Sequence, residues 1–315
     1  MAGAEHVCQG NHATDRRRPK AHKARIGREQ ATMRTMLKGR NSEVAIDAEG
    51  QVVIIGEKIN PTGRKKLAAA LVARDFGLVR ELASSQVQAG AEVLDVNVGV
   101  PGVDEERLLP EVVKEVASAV DVPLCLDTPN AAALKAALQV APGKPLVNSV
   151  NGEEKSLASV LPLVRERGAA VIGLAMDEGG IPKDAKDRAR VAARILERAA
   201  KLGIPVEDVI IDPLVLSVGA DTTAGLVTLQ TIETIRKEFG VNINLGASNV
   251  SFGLPDRHTI NQAFLALAIG RGANCVITDP LKLAGIIRAS DLLLSRDEYA
   301  ARYIAYFRSL PKGVG

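Results

Sequence analysis

From about residue 50 onward the chain repeats one unit eight times. Each unit is a short apolar run, a polar or glycine-rich turn, and a helix-length segment that is amphipathic or alanine-rich. The runs are "VVIIGEKI" (52–59), "VLDVNV" (93–98), "PLCLDT" (123–128), "PLVNSV" (145–150), "AAVIGLAM" (169–176), "VIIDPL" (209–214), "NINLGAS" (242–248) and "NCVITDP" (274–280). Helical patterns follow them at about 71–89, 104–119, 130–141, 153–167, 184–202, 222–239, 257–271 and 281–294, with a last one at about 297–308. Near-continuous apolar strands belong to parallel sheets covered on both faces, and parallel strands need crossovers of helix length. Eight strand–helix pairs in about 270 residues predict an α/β protein built as a single (β/α)8 TIM barrel. A doubly wound open sheet would alternate in the same way. No strand here is followed by G-x-G-x-x-G, however, and no G-x-x-x-x-G-K-[ST] loop occurs.

Composition narrows the function classes. Aromatic residues make up 3% of the chain and tryptophan is absent, so the core must be Leu, Val, Ile and Ala, and the composition argues against a base-stacking nucleic-acid platform. No apolar run reaches the ~18 residues of a membrane span. Cys8, Cys125 and Cys275 are an odd number with no paired spacing, which points to a reducing cytoplasm and away from zinc or iron–sulfur ligation. His258 is the one histidine beyond residue 45, so a histidine metal site or a Ser-His-Asp triad has little to work with. Residues 1–45 hold ten Lys/Arg against four Asp/Glu. That segment is expected to be a basic, disordered or weakly ordered extension, with the barrel domain at 46–315; an arm for nucleic acid or acidic lipid is the weaker alternative. It has no apolar h-region of a secretory signal.

In such barrels the carboxyl ends of the strands build the site. Here those ends carry Glu57 and Asn60, Asp95 and Asn97, Asp127, Asn148, Asp212, Ser248 and Asn249, and Asp279. Asp95 and Asn97 are two apart and so share a strand face. An Asp before a helix often only caps it, with Pro just inside. "DPLK" at Asp279 is read that way, whereas Asp127 and Asp212 are read as site residues. Capping does not explain Asn97, Asn148 and Asn249, because Asn is a poor strand former. Carboxylates and amides without a phosphate loop or metal ligands suit a neutral planar heterocycle: a carboxylate accepts two parallel N–H bonds, and an amide reads the remaining ring atoms. A pterin has that edge. Metal binding is the competing use of the carboxylates and ranks lower because amides dominate.

Seven stretches in collinear order, "GEKINPTGRKKL", "LDVNVG", "LCLDT", "VNSVNGEEKS", "GLAMDEGGIPKD", "IDPLVLSVG" and "GASNVSFGLP", resemble the pterin-binding methyltransferases. The resemblance spans about 52–308 and is strongest to the methyltetrahydrofolate:corrinoid protein methyltransferases, with the folate domain of cobalamin-dependent methionine synthase a near relative. It implies that Asp127 and Asp212 bind the pterin's amino and amide nitrogens and that Asn148 binds the pyrimidine ring. Asp95 and Asn97 would line the floor, and Gly246 and Ser248 would lie beneath or beside the ring. Asn249 would reach N5, which carries the methyl group. It also implies tetrahydrofolate or 5-methyltetrahydrofolate as substrate, a corrinoid (cobalamin) supplied by a partner corrinoid protein, no protein-bound metal, and a homodimer packed through outer helices. Methyl transfer from a tertiary amine needs N5 to become cationic, and no strong acid stands among the motifs. Asn249, with a network from Asp127, is therefore the expected catalytic group.

Two departures bear on that expectation. "DRHTIN" (256–261) superficially matches a D-x-H-x-x-G cobalt-ligand motif, but Asn261 replaces the glycine and His258 reads as a helix-start residue. A dihydropteroate synthase, the nearest enzyme alternative, would carry a "GGESTRP"-like loop after the second strand, where this chain has "NVGVPGVDEE". A pterin-binding subunit without turnover and a metal-dependent barrel lyase complete the alternatives. "NPTGRKKL" (60–67) offers Arg64, Lys65 and Lys66 to a folate's glutamate or simply to solvent, and "MDEGGIPKD" (176–184) reads as a mobile loop near the site.

Overall fold

The computed structural model describes residues 33–310. A hairpin comes first, β1 (Arg34–Lys38) paired antiparallel with β2 (Glu43–Asp47). Eight parallel strands follow: β3 (Val53–Ile59), β4 (Val93–Val96), β5 (Leu124–Asp127), β6 (Leu146–Asn151), β7 (Ala170–Leu174), β8 (Val209–Asp212), β9 (Asn244–Gly246) and β10 (Cys275–Thr278). They run in the order β8-β7-β6-β5-β4-β3-β10-β9. A parallel bridge between Ile211 and Ile243, with the Ile211 N–H donating to the Asn242 carbonyl at 2.9 Å, joins β8 to β9 and closes the ring. This is the TIM barrel that the eightfold alternation predicts.

The outer layer is α1 (Lys65–Val72), α2 (Gly77–Gln88), α3 (Glu105–Ala119), α4 (Ala131–Val140), α5 (Glu154–Arg167), α6 (Ala185–Lys201), α7 (Ala224–Phe239), α8 (Arg257–Gly270), α9 (Pro280–Leu293) and α10 (Ala301–Ser309). Their starts are set locally. Asp104, Asn130, Asp184, Asp256 and Asp279 each accept from a backbone N–H in the first turn, the commonest way to satisfy those otherwise orphaned donors. Asp279 is thus the helix cap that "DPLK" predicts. The single helix expected over 71–89 is two helices, because the Asp75 carboxylate caps Gly77 N–H at 3.1 Å and restarts the chain after a left-handed residue at Arg74.

Strand parity determines which residues enter the barrel. Val53 and Ile55, Val93, Cys125, Leu146, Ala170 and Ile172, Ile210 and Cys275 form one buried cluster inside it, while Ile54, Leu94, Val147, Val171 and Ile211 face outward against the helices. Continuing each strand two residues from that inner layer reaches Glu57, Asp95, Asp127, Asn148, Leu174, Asp212 and Ile277, the last inward positions before the mouth.

The hairpin plugs the opposite end. Leu37 and Ile46, both fully buried, join the inner cluster. Buried Asn242 donates to the Ile46 carbonyl and to Thr35 Oγ1, both at 2.9 Å, and Asn274 donates to the Asp47 carbonyl at 2.9 Å. Residues 34–45, assigned from the sequence to the basic extension, are therefore part of the barrel, and the boundary moves toward the N-terminus. The charge count of 1–45 conceals a period-2 pattern, Thr35 and Leu37 inward with Arg34 and Lys38 exposed, that is confined to its last third. A Leu37→Ala variant is expected to lose about 2–5 kcal/mol of unfolding free energy in urea, because the plug leaves a cavity that the closed ring cannot collapse around.

Candidate functional site

The barrel mouth encloses a cavity of about 460 Å³. Its wall is the top inward layer of the strands, completed by Gly246, Ser248 and Asn249 after β9 and by Leu214 and Val215 after β8. Of the residues that the sequence singles out, Asp95, Asp127, Asn148, Asp212, Gly246, Ser248 and Asn249 all border this one space. Asn97 does not. β4 ends at Val96, and the chain turns so that the Asn97 Oδ1 accepts from Gly99 N–H at 2.8 Å while its Nδ2 donates to Asp127 Oδ2 at 2.9 Å. Asn97 thus stands behind the wall and orients a residue on it.

At the floor two carboxyl groups meet. Asp95 is only 3% exposed. Burial, and then the charge of Asp127, push it well above the usual carboxylate range, while the Asn148 amide and the Cys125 thiol bond to it. Asp127 is also raised, by burial, and is hydrogen-bonded to Asp95 and Asn97. Burial of two adjacent carboxyls disfavours ionising both, so Asp95 and Asp127 titrate as a coupled pair. Asn148 Nδ2 donates to Asp95 Oδ1 at 3.1 Å. Asp95 thereby links Asp127 and Asn148, the two side chains that face the cavity from β5 and β6.

On the far side, burial raises Asp212 to about 6. Its Oδ1 accepts from Leu214 N–H at 2.8 Å, and its Oδ2 from Asn244 Nδ2 at 2.7 Å. It caps a turn and not a helix, since α7 begins twelve residues later, at Ala224. Asn244 is fully buried and its Oδ1 has no partner. Asn244 is not among the residues singled out from the sequence, although a polar amide inside a three-residue strand is the same signal that marks Asn148.

The seventh run changes character where the sequence does. β9 stops at Gly246, and Ala247–Asn249 form a 3₁₀ turn that carries Ser248 and Asn249 over the rim. A Cβ at Gly246 would sit 3.3 Å from Asn249 Nδ2, so glycine leaves the amide its place. Ser248 Oγ lies 3.3 and 3.4 Å from the two oxygens of Glu57, whose carboxyl is raised by burial and then by the charge of Asp279. Arg257, unremarked in the sequence, donates to the Ser248 carbonyl at 2.7 Å and to Ser251 Oγ at 3.1 Å, and lies over the Phe252 ring. His258 is an exposed residue in the first turn of α8, as expected for a helix start. The 176–184 loop does not border the central cavity; Glu178 ties it to Arg194 at 3.0 Å and to Glu154 N–H at 2.8 Å.

Among the described residues no group of three or more His, Cys, Asp and Glu is placed to hold a metal ion, and no helix is long and apolar enough to cross a membrane. The mouth therefore offers paired carboxyls, amides and small residues around a space of heterocycle size.

A closed parallel barrel with a polar cavity at the carboxyl ends of its strands has the architecture of a TIM-barrel enzyme. The chain belongs to the pterin binding enzyme family, whose pattern matches residues 56–279. It is 32% identical over 265 residues to the methylcorrinoid:tetrahydrofolate methyltransferase of Eubacterium limosum, covering 82% of this chain and 96% of that protein, and it is a methyltransferase of this family. It is 29% identical over 248 residues to the methionine synthase of Mycobacterium tuberculosis, covering 75% of this chain but 21% of that longer protein. Among solved structures, the Yersinia pestis dihydropteroate synthase bound to a pterine-sulfa conjugate superposes with a TM-score of 0.63 at 19% identity, covering 83% of this chain and 99% of that one, a likeness of fold.

Proposed function

We propose that this chain moves a methyl group between N5 of tetrahydrofolate and the cobalt of a corrinoid carried on a separate protein. The observation that carries this is the gathering of Asp127, Asn148, Asp212 and Asn249, drawn from four strand ends, around one cavity. Asp127 and Asp212 accept the amino and amide N–H groups of the pterin, and Asn148 reads the pyrimidine ring. Gly246 and Ser248 leave the ring room, and Asn249 addresses N5 from the rim. The relation to a methylcorrinoid-dependent enzyme along nearly its whole length supports the corrinoid partner. Cys125 and Cys275, both free and buried, accord with a cytoplasmic protein. The exposed Leu267 and Leu281 on α8 and α9 offer outer faces for a homodimer.

The chemistry follows from the leaving group. A neutral tertiary amine departs poorly, so the carbon–nitrogen bond breaks only as N5 acquires a proton or a strong hydrogen bond. The reduced corrinoid supplies the nucleophile, in line with that bond. N5 takes a proton from solvent at the open rim and so becomes cationic, and the Asn249 amide oxygen accepts from that N5–H. As the methyl carbon leaves for the nucleophile, the C–N electron pair returns to N5, which departs as a neutral secondary amine. The neutral Asp95 holds Asp127 and Asn148 in register with the ring, so that the methyl group projects from the mouth toward its partner.

The test is a spectrophotometric assay with cobalt(I) cobalamin and 5-methyltetrahydrofolate, in which enzyme-dependent appearance of methylcobalamin is expected. Saturable folate binding without any transfer would make the chain a binding subunit, and no binding at all would sink the proposal.

A pH dependence follows from Asp212. Its carboxyl holds a proton up to about pH 6 in the empty site, and a ligand offering N–H donors needs the anion. Binding therefore displaces that proton at lower pH. Affinity is expected to rise by up to about tenfold per pH unit as pH approaches 6, then level off. Calorimetric titration between pH 5 and 8 checks this, and Asp212→Asn should flatten the profile while weakening binding throughout.

A further inference from the structure

Arg188 is near the start of α6 and is 1% exposed, while Arg190 two residues on is exposed. A guanidinium buried there is doubly unfavourable, because it leaves water and meets the positive end of the helix dipole. If packing were its only task, an apolar side chain would serve better. Its bonds show another task. Nε donates to the Pro182 carbonyl at 2.9 Å, and Nη1 to the carbonyls of Pro213 and Leu214 at 2.9 and 2.8 Å and to Thr228 Oγ1 at 3.4 Å. All four acceptors are neutral oxygens, so the charge is not cancelled. Pro182 lies in the loop after β7, and Pro213 and Leu214 follow β8, so one side chain ties two neighbouring loops of the mouth.

Leu214 is where that tie bears on the site. Its φ is +64°, a left-handed conformation that a leucine side chain resists. Its carbonyl accepts from Arg188 and also from Thr228 Oγ1 at 3.0 Å. Its N–H donates to Asp212 Oδ1, and Asn244 holds the other oxygen of that carboxylate. Asp212, Leu214 and Val215 together line one side of the central cavity. We infer that Arg188 is a positioning residue for Asp212: by holding the strained turn at Leu214, it aims the Leu214 N–H at the carboxylate and keeps Asp212 turned toward the N–H groups of the substrate. This rests on the methyl-transfer reading, in which Asp212 binds the ring edge, and adds to it a residue that touches no substrate.

Charge works in the same direction as geometry. Burial raises Asp212, while the Leu214 N–H, Asn244, the Gly246 N–H and the charge of Arg188 all lower it. The other elements around Asp212 are differently equipped. β7 presents Leu174, α7 the Thr228 hydroxyl and β10 the Cys275 thiol, which burial keeps neutral. Glu57, Asp95, Asp127, Arg64 and Arg257 line the cavity as well, and Asp184 faces Arg188 from the start of α6. Removing Arg188 thus takes two supports from the Asp212 anion, the nearby cation and the fixed Leu214 N–H. Asp212 should then hold its proton to higher pH.

The experiment is calorimetric titration of the full chain and its variants with 5-methyltetrahydrofolate between pH 5 and 8, with urea unfolding measured alongside. Arg188→Met is expected to weaken binding about tenfold at pH 8 and by a larger factor below pH 7, since the level part of the affinity profile should begin about half a pH unit higher or more. Glycine takes a left-handed conformation without strain, so in a Leu214→Gly background Arg188→Met should cost less than about threefold at pH 8. Thr228→Val removes the other donor to the Leu214 carbonyl and leaves the cation, and should weaken binding about threefold with little change in the profile. An Arg188→Met protein that is less stable in urea yet binds with wild-type affinity and pH profile would make Arg188 a purely structural residue. An equal loss in both backgrounds would show that it does not act through the turn. Either result overturns the inference and leaves methyl transfer standing, and so does wild-type affinity in Thr228→Val if Arg188→Met fails to fold. Failure of the unaltered chain to bind the folate would instead remove the methyl-transfer reading, and this inference with it.

Discussion

Asn249→Ala is expected to lower the rate of methyl transfer by about 10²- to 10³-fold while changing the dissociation constant of 5-methyltetrahydrofolate by less than about threefold. The magnitude is that of losing one preorganised hydrogen-bonding group aimed at charge developing in a transition state. The separation of the two effects follows from position. Asn249 is exposed on the rim, in the 3₁₀ turn after β9, whereas Asp127, Asn148 and Asp212, the groups proposed to read the pyrimidine edge, sit below it on strands. On the proposed reading, removing the amide takes a contact from N5 and leaves the pyrimidine edge intact. Single-turnover measurement with cobalt(I) cobalamin isolates the chemical step from product release, and the melting temperature should not move because the side chain is exposed. A variant that transfers methyl at the wild-type rate would remove Asn249 from catalysis.

Most of this site was legible in the sequence because of strand parity. In a barrel whose strands point alternate residues inward, a polar residue two positions beyond the last buried apolar one must emerge at the mouth. Asp95 follows Val93, Asp127 follows Cys125, Asn148 follows Leu146 and Asp212 follows Ile210. The rule fails where the strand ends early. Asn97 has the right parity, but β4 stops at Val96, and a turn capped by its own side chain rotates it behind Asp127. It fails also where a pattern is diluted. The β1–β2 hairpin alternates as a half-buried strand pair should, yet it abuts thirty residues of mostly basic and polar composition. Arg257 left no signal, since its role is to hold the Ser248 carbonyl and Ser251, which lie near it only after the chain has turned.

Asp127 is the position where substitution is expected to cost most in binding. Its carboxylate faces the cavity, and two N–H bonds from an amino-amide edge to a charged acceptor are worth about 1.5–3 kcal/mol each. Asp127→Ala should therefore weaken 5-methyltetrahydrofolate binding by at least about 100-fold. Because the chain has no tryptophan, calorimetric titration is the direct readout. The loss has a second source, since alanine also strips the partner from Asn97 Nδ2 and from the Asp95 carboxyl. The neighbouring acid separates the two contributions. On the proposal that Asp95 works in its neutral form, an amide can replace that carboxyl as donor toward Asp127. Asp95→Asn should therefore keep folate affinity within about tenfold of wild type, while Asp95→Ala, which leaves both Asp127 and Asn148 without their shared partner, should approach the loss seen on removing Asp127 itself. If Asp95→Asn proved as damaging as Asp95→Ala, Asp95 would have to be ionised in the working site. The charge facing the pterin would then be divided over two carboxylates instead of concentrated on Asp127.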